Sequence, residues 1–199
     1  MGEGEISRAM QQPALRLVKP DEDESADAVQ TLLQRHFEGV WRLLRRLGLP
    51  QADADDAAQQ VFIIACTRFA TIQPGSERAF LFGCALKLAS KWRAAQQRLV
   101  QPSATGELDY ADDDVPSVEE LVDQNRARAL LDVVLKSMPS DLRTVFVLFE
   151  LEEFSSHEIG ALLGIPRGTA TSRLRRARED FAKRLSRLES RLRFRGTVA

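Results

Sequence analysis

Apolar residues recur at three- and four-residue steps through most of the chain, which is the period of an amphipathic helix. Before residue 99 the pattern predicts three helices, at about 27–47, 51–69 and 77–98. After residue 124 it predicts four more: one at about 125–137, one opened by Pro139, a short one after Ser155, and a last one continuing past Phe181 to Gly196. No useful stretch alternates with the period of a β-strand. The pattern therefore predicts an all-α protein.

The spacing also predicts which side chains form the core. In the first helix the expected apolar face is Leu32, Leu33, Phe37, Val40, Trp41 and Leu44. In the third helix the residues expected to face inward are Phe80, Leu81, Cys84, Leu88 and Trp92.

Residues 153–181 contain the most specific local signals in the chain. Ser155 and Glu158 have the Ser-x-x-Glu spacing of a capping box, which opens a helix by satisfying its free N–H groups. Gly164 can end that helix in a left-handed conformation, and Pro166 suits the first turn of the next helix. This second helix is strongly basic. Two helices joined by a tight turn, the second basic, are typical of a DNA-binding helix-turn-helix, although an ordinary helical hairpin with a solvated basic face has the same pattern.

Charge is divided unevenly along a chain whose formal net charge is only −1. Residues 1–28 carry −4 and residues 101–123 carry −8, with eight acids and no base. Residues 31–98 carry +5 and residues 155–199 carry +7. Two basic blocks separated by an acidic segment indicate two nucleic-acid-facing modules on a repelling tether.

These boundaries predict two small helical domains joined by an acidic flexible linker. The expected organisation is a disordered acidic tail at 1–26, a three-helix domain at 27–98, the linker at 99–123 and a helix-turn-helix domain at 124–195. Catalysis is not expected, because the chain has no Gly-rich phosphate loop and its two histidines are isolated. Cys66 and Cys84 have no partner at metal-ligand spacing, so neither a metal nor a cofactor is predicted. No apolar run approaches transmembrane length, and we expect a cytoplasmic protein without membrane insertion.

At this point the sequence resembles the extracytoplasmic-function, group IV sigma factors of bacterial RNA polymerase. LLDVVLKSMPSDLRTVFVLFELEEFSSHEIGALLGIPRGTATSRLRRARE (130–179) resembles the family's region 4, with its "LP…R" and "EI…LGIP.GT…SRL.RAR" patterns. DADDAAQQVFIIA (53–65) resembles region 2.2, and SERAFLFGCALKLASKWRAAQQR (76–98) resembles regions 2.3 and 2.4. The resemblance covers about three quarters of the chain.

The resemblance implies that the second helix of region 4 enters the major groove of the −35 element. Residues in its N-terminal half would then reach base edges while arginines further along bind phosphate. The residues so implied are Arg167, Thr171, Ser172, Arg175 and Arg176, with Arg173 and Arg178 nearer the backbone. Thr171 stands where the family usually has Lys or Arg, which weakens one expected base contact.

Region 2 of the family has two tasks, opening the −10 element and docking on core polymerase. For the −10 element, where an extruded base is captured in the loop at 70–76, the resemblance implies Arg68, Phe69, Lys87, Lys91 and Trp92. For the clamp helices of the β′ subunit it implies Asp56, Gln59, Gln60 and Phe62. An aromatic residue on an apolar helical face such as Phe62 is more often in the core than at an interface, and Trp92 fits the core at least as well as a stacking role. Phe80 and Lys87 replace the Trp and Asn that the family often has.

The implied partners are core RNA polymerase through its β′ clamp helices and β flap, promoter DNA, and an anti-sigma factor. Two other classes of protein remain as alternatives. A free-standing helix-turn-helix regulator would bind duplex DNA without core polymerase, and a helical interaction protein would have no affinity for nucleic acid. The first domain distinguishes a sigma factor from these alternatives, because only a polymerase subunit should co-purify with core enzyme.

Overall fold

A computed structural model describes residues 22–99 and 124–196 of the chain. Within them the chain forms seven α-helices and no strand. They are α1 (Glu22–Arg46), α2 (Gln51–Arg68), α3 (Glu77–Leu99), α4 (Gln124–Ser137), α5 (Ser140–Phe146), α6 (Ser156–Leu163) and α7 (Arg167–Gly196). The all-α prediction is confirmed.

The first helix begins earlier than its apolar spacing suggested. It starts at Glu22, so the predicted disordered tail at 1–26 is wrong for its last five residues, and the rest of that tail lies outside the described residues. The predicted linker likewise loses Leu99, which belongs to α3, and its remaining residues are not described.

Helices α1, α2 and α3 pack on one another around an apolar centre. Val40, Leu44 and Val61 are fully buried there. The chain turns between α1 and α2 at Gly48, whose φ of +102° few side chains tolerate. The indole N–H of Trp41 on α1 donates a hydrogen bond to Asp55 on α2 at 2.6 Å, which joins the two helices.

The predicted apolar face of α1 is confirmed for Leu32, Val40 and Leu44, which are buried, but two of its other members are exposed. Leu33 and Phe37 are 41% and 37% exposed, while Leu43 and Leu47 are completely buried. Both sets follow helical spacing. The choice between them depends on where α2 and α3 pack, which spacing within one helix does not reveal.

The C-terminal half is built from α4 to α7. The expected face of α7 is confirmed: Ala170, Leu174 and Ala177 are buried against α5 and α6. Its continuation past Phe181 is also confirmed, because Leu188 and Leu192 form a second small cluster with Val134 of α4. Helix α5 passes into a single π-helical turn, Val147–Leu151, which changes the direction of the chain before α6.

The two halves share one continuous apolar core, although the sequence suggested separate modules. Phe82 of α3 packs on Phe154, which precedes α6, with ring centroids 5.2 Å apart. A Cβ at Gly83 would lie 3.7 Å from Leu162 of α6, so the helices approach closely. Helix α3 is therefore buried on two sides, which explains why Phe82, Ala85 and Leu86 are buried although the sequence pattern predicted only one inward face.

Candidate nucleic-acid and polymerase interfaces

The turn between α6 and α7 has the geometry of a helix-turn-helix. Ser155 Oγ accepts a hydrogen bond from the N–H of Glu158 at 3.3 Å, and Glu158 accepts one from the N–H of Ser155 at 2.8 Å. This predicted capping box is confirmed. Hydrogen bonding with Ser155 lowers the pKa of the Glu158 carboxyl below its ordinary value of 4.5.

The helix α6 ends as predicted, with Gly164 at a φ of +65°. The next residue closes the turn: the N–H of Ile165 donates to the carbonyl of Gly160 at 2.9 Å. A Cβ on Gly160 would lie 2.9 Å from the backbone carbonyl oxygen of Ile165, so this position requires glycine for close approach. Pro166 lies immediately before α7, and its carbonyl accepts from Ala170.

The exposed surface at the start of α7 carries the five residues that the resemblance implied for the DNA face. Arg167, Thr171, Ser172, Arg175 and Arg176 are all exposed. Thr171 and Ser172 donate hydrogen bonds to backbone carbonyls of α7 itself, at 3.0 Å each, which leaves their oxygens free to accept. Arg175 pairs with Glu179 at 2.8 Å in an exposed ion pair that a nucleic acid could replace.

Arg173 and Arg178, expected nearer the DNA backbone, lie in different surroundings. Arg173 is half-buried without an ion pair in the described part of the chain. Arg178 pairs with Glu150 at 2.5 Å, and its guanidinium lies 5.1 Å from the ring centre of Phe149. Arg178 therefore connects α7 to the π-helical turn.

The residues implied for the −10 element separate into exposed cations and partly buried rings. Lys87 and Lys91 are exposed one turn apart on α3, and Arg68 is exposed at the end of α2. Phe69 and Trp92 are only partly accessible and pack against the core. The indole N–H of Trp92 is buried with no hydrogen-bond partner in the described residues.

The residues implied for polymerase lie on α2, and one of them is not at the surface. Asp56, Gln59 and Gln60 are exposed. Phe62 is 5% exposed, with its ring 5.7 Å from that of Phe37, so its assignment to the polymerase surface is corrected to a core role. Its neighbour Ile63 is 57% exposed, an apolar surface residue that the sequence analysis missed.

A group of charged residues joins the two halves, and we call it the interdomain seam: Arg46, Arg78, Arg143 and Glu152. Arg46 pairs with one carboxylate oxygen of Glu152 at 2.8 Å, and Arg78 lies 3.3 Å from the other. Arg78 also donates to the Glu152 carbonyl at 2.5 Å and stacks 4.5 Å from the ring centre of Phe154. No sequence pattern indicates the seam, because the residues that form it are far apart in the chain.

Arg143 is the most buried cation of the seam, at 6% exposure. Its guanidinium donates to the carbonyls of Leu47 in the first half and of Lys136 and Met138 in the second, at 3.1, 2.7 and 2.9 Å. Burial lowers the pKa of Arg93, and the nearby positive charge of Arg143 lowers it further.

The described residues offer little for metal or thiol chemistry. No three metal-ligating side chains of this part of the chain come together. Burial raises the pKa of the Cys84 thiol, which disfavours the reactive thiolate. None of the described helices is long and apolar enough to cross a bilayer.

The fold and these surfaces define a two-part helical protein whose C-terminal half is a helix-turn-helix module. Residues 128–181 match the family described as sigma-70, region 4. The chain is 30% identical over 159 residues to the ECF RNA polymerase sigma factor SigE of Mycolicibacterium smegmatis, covering 80% of this chain and 62% of that protein. It is 29% identical over 161 residues to the ECF RNA polymerase sigma-E factor of Escherichia coli K12, covering 76% and 83%.

Two solved structures have a similar fold. The sigma factor RpoE of Bartonella quintana, in complex with the anti-sigma factor NepR, has a TM-score of 0.61 and 20% identity over 80% of this chain and 98% of that one. CnrH, in complex with the cytosolic domain of CnrY, has a TM-score of 0.57 and 23% identity over 82% and 94%. The sequence matches show that this chain is similar to ECF RNA polymerase sigma factors, with a sigma-70 region 4 match over residues 128–181.

Proposed function

We propose that this chain is a bacterial transcription initiation factor that binds core RNA polymerase and directs it to promoters with −35 and −10 elements. The observation that carries the proposal is the pairing of a helix-turn-helix, whose exposed α7 surface is basic, with an N-terminal three-helix domain whose α2 surface is available to a protein partner. The chain spans only 62% of the length of its mycobacterial relative, so its activity is argued from its own residues.

For the −35 element, the helix α7 supplies the reading surface. Arg167 and Arg176 can form bidentate hydrogen bonds with guanine, and Ser172 can bond either a base edge or a phosphate. Arg175 is held by Glu179 until a phosphate displaces that carboxylate. Domain 124–195 therefore provides the −35 contact in this proposal.

For the −10 element, domain 27–98 supplies cations beside a loop. Lys87 and Lys91 on α3 can follow the phosphates of an opened strand, and Arg68 lies at the entrance to the loop. Phe69 offers part of its ring for stacking. Trp92 would stack on a base only after leaving its packing on the core, so we assign it a smaller contribution to base stacking than Phe69.

For core polymerase, we assign docking on the β′ clamp helices to Asp56, Gln59 and Gln60 on α2. Ile63, which the sequence analysis did not include, takes the place of the buried Phe62 as the apolar residue of this surface. Domain 124–195 would meet the β flap, and an anti-sigma factor is the expected inhibitor. The protein acts in the cytoplasm in this proposal and has no catalytic site of its own.

Binding both elements requires the two halves to separate. Positions −35 and −10 are roughly 25 base pairs apart, which is about 85 Å of B-DNA. In the described arrangement α3 and α6 are in direct contact. The acidic segment 100–123 is the proposed tether between the separated halves.

The deciding experiment is transcription in vitro from a promoter library with purified core RNA polymerase. The proposal expects transcripts that start at defined promoters only when this protein is added. A chain that binds duplex DNA specifically but never supports initiation would contradict the proposal and favour the free-standing regulator.

A matched pair of variants tests the docking surface. Gln59→Ala with Gln60→Ala should weaken binding to core enzyme about tenfold, equivalent to roughly 1.4 kcal/mol. Gln96→Ala with Gln97→Ala removes two exposed glutamines of α3 instead and should leave core binding unchanged. Equal affinities for the two double variants would contradict the α2 assignment.

A further inference from the structure

The helix α7 carries a row of basic side chains without acidic partners, and the row extends well beyond the helix-turn-helix. We call it the basic flank. Its members are Arg173, Arg176, Lys183, Arg187 and Arg191. At 3.6 residues per turn these five fall within an arc of roughly 80° and extend along about 27 Å of helix.

The basic flank differs from the other cations of α7 in its pairing. Arg175, Arg178 and Arg184 each form an ion pair, with Glu179, Glu150 and Asp180. No member of the basic flank forms an ion pair or side-chain hydrogen bond within the described residues. The one acid in the same arc is Asp180, and its carboxylate accepts from Arg184 at 2.7 Å. The flank therefore keeps its full positive charge.

The flank borders the surface proposed to read the −35 element and shares Arg176 with it. Around the helix axis it falls between the reading residues, such as Ser172, and the buried residues, such as Leu188. A helix lying in the major groove turns its flanks toward the phosphates of the groove walls. The position suits phosphate contact.

Three of the five members lie beyond residue 181, where the match to region 4 ends. They are nevertheless held on a fixed helix. Leu188 and Leu192 pack against Val134 of α4, and Arg184 donates a hydrogen bond to the carbonyl of Ser137. The cations at 183, 187 and 191 are thus presented in line with those at 173 and 176.

We propose that Lys183, Arg187 and Arg191 bind the phosphate backbone of duplex DNA and lengthen the −35 contact beyond the helix-turn-helix. The partner is duplex DNA because the flank is a line of unpaired cations continuous with the proposed reading surface, and between Arg173 and Arg191 its arc contains no apolar side chain. That this contact lies beside the −35 element rests on the proposed function. The affinity of the three cations for phosphate does not depend on that function.

The test measures binding of the full chain to a fluorescent 40-base-pair duplex as salt is varied. Each lost phosphate contact lowers the slope of log affinity against log salt by about 0.9. The triple variant Lys183→Gln, Arg187→Gln, Arg191→Gln should therefore lower the slope by about 2.7. Between 50 and 200 mM salt the wild type should lose about 40-fold more affinity than this variant.

A control of equal net charge separates contact from overall electrostatics. Arg35→Gln, Arg128→Gln, Lys136→Gln removes three exposed cations that lie on α1 and α4. It should retain the wild-type slope. Equal slopes for the two triple variants would overturn the inference. The inference would also be overturned if the flank variant kept the wild-type slope of log affinity against log salt. That outcome includes the case in which the flank binds a peptide of residues 101–123 and not DNA.

The result is independent of the proposed function. If the flank variant loses slope while the wild type fails to initiate with core polymerase, the phosphate contact stands and the initiation function fails. If the wild type initiates but the flank variant keeps its slope, the initiation function stands and this inference fails.

Discussion

The interdomain seam and the basic flank of α7 both depend on arginine, but in opposite electrostatic surroundings. In the seam, Arg46 and Arg78 share the buried carboxylate of Glu152, and Arg143 is enclosed by three carbonyls. On the flank, cations such as Arg176 and Arg187 face solvent without partners. A buried cation is costly unless it is hydrogen-bonded, whereas an exposed unpaired cation costs little and attracts phosphate. Seam arginines therefore stabilise the described arrangement, and flank arginines remain available for binding.

This contrast predicts that seam variants lose unfolding free energy but keep the salt dependence of duplex binding. Flank variants should keep their unfolding free energy and lose part of that salt dependence. The following predictions are ordered by the expected loss of unfolding free energy.

The largest loss is expected for Arg143→Met. The change removes the donor from the carbonyls of Leu47, Lys136 and Met138, and at least part of that group stays buried. We expect the free energy of unfolding to fall by about 4 kcal/mol. Urea denaturation measures it, with the exposed Arg35→Met as the control. If Arg143→Met lost less unfolding free energy than Arg35→Met, water would be able to replace the Arg143 guanidinium without cost.

Gly48→Ala is expected to follow. A Cβ there would lie 2.4 Å from Nη1 of Arg143, and the residue has a φ of +102°. The backbone strain together with displacement of Arg143 should cost about 3 kcal/mol.

Gly164→Ala is its matched control, since Gly164 also has positive φ, at +65°, but has nothing within 4 Å of the added Cβ. This variant should lose only about 1 kcal/mol, from the left-handed conformation alone. Equal losses at Gly48 and Gly164 in thermal unfolding would remove Arg143 from the explanation.

Glu152→Gln should have a smaller effect, about 2 kcal/mol, because both of its arginine partners are partly exposed and can regain water. Hydrogen exchange should speed up in α3 and α6, whose contact the seam supports. Glu153→Gln changes an exposed neighbour and serves as the control. Unchanged exchange in both helices would contradict a role for Glu152 in holding the halves together.

Ser155→Ala, outside both regions, should have the smallest effect, about 1 kcal/mol, from loss of the helix cap. Because the folded-state pKa of Glu158 lies below 4.5, its contribution is present above pH 4.5 and is lost as the pH falls through that lowered value. Removing the Ser155 hydroxyl should raise this pKa toward 4.5. An NMR titration of the Glu158 carboxyl measures the shift, and an unchanged pKa would contradict the assigned cause.

The sequence by itself determined the local structure of this protein. The capping box at Ser155, the left-handed Gly164 and the buried face of Ala170, Leu174 and Ala177 all follow from interactions within a few turns of chain. Helix content and the basic character of α7 follow from the same short range. These features could be read because their physical causes are adjacent in sequence.

Tertiary structure alone decided that the buried face of α1 includes Leu43 and Leu47 but not Leu33 and Phe37, that Phe62 belongs to the core, and that α3 is covered on a second side. Each depends on where another helix packs, and helical spacing is equally consistent with several faces. The seam could not be predicted from sequence, since Glu152 lies 106 residues from Arg46 and 74 from Arg78. The basic flank also required the structure, because it differs from the other basic residues of α7 only in ion pairing. Arg175, Arg178 and Arg184 each have an acidic partner, and the members of the flank have none among the described residues.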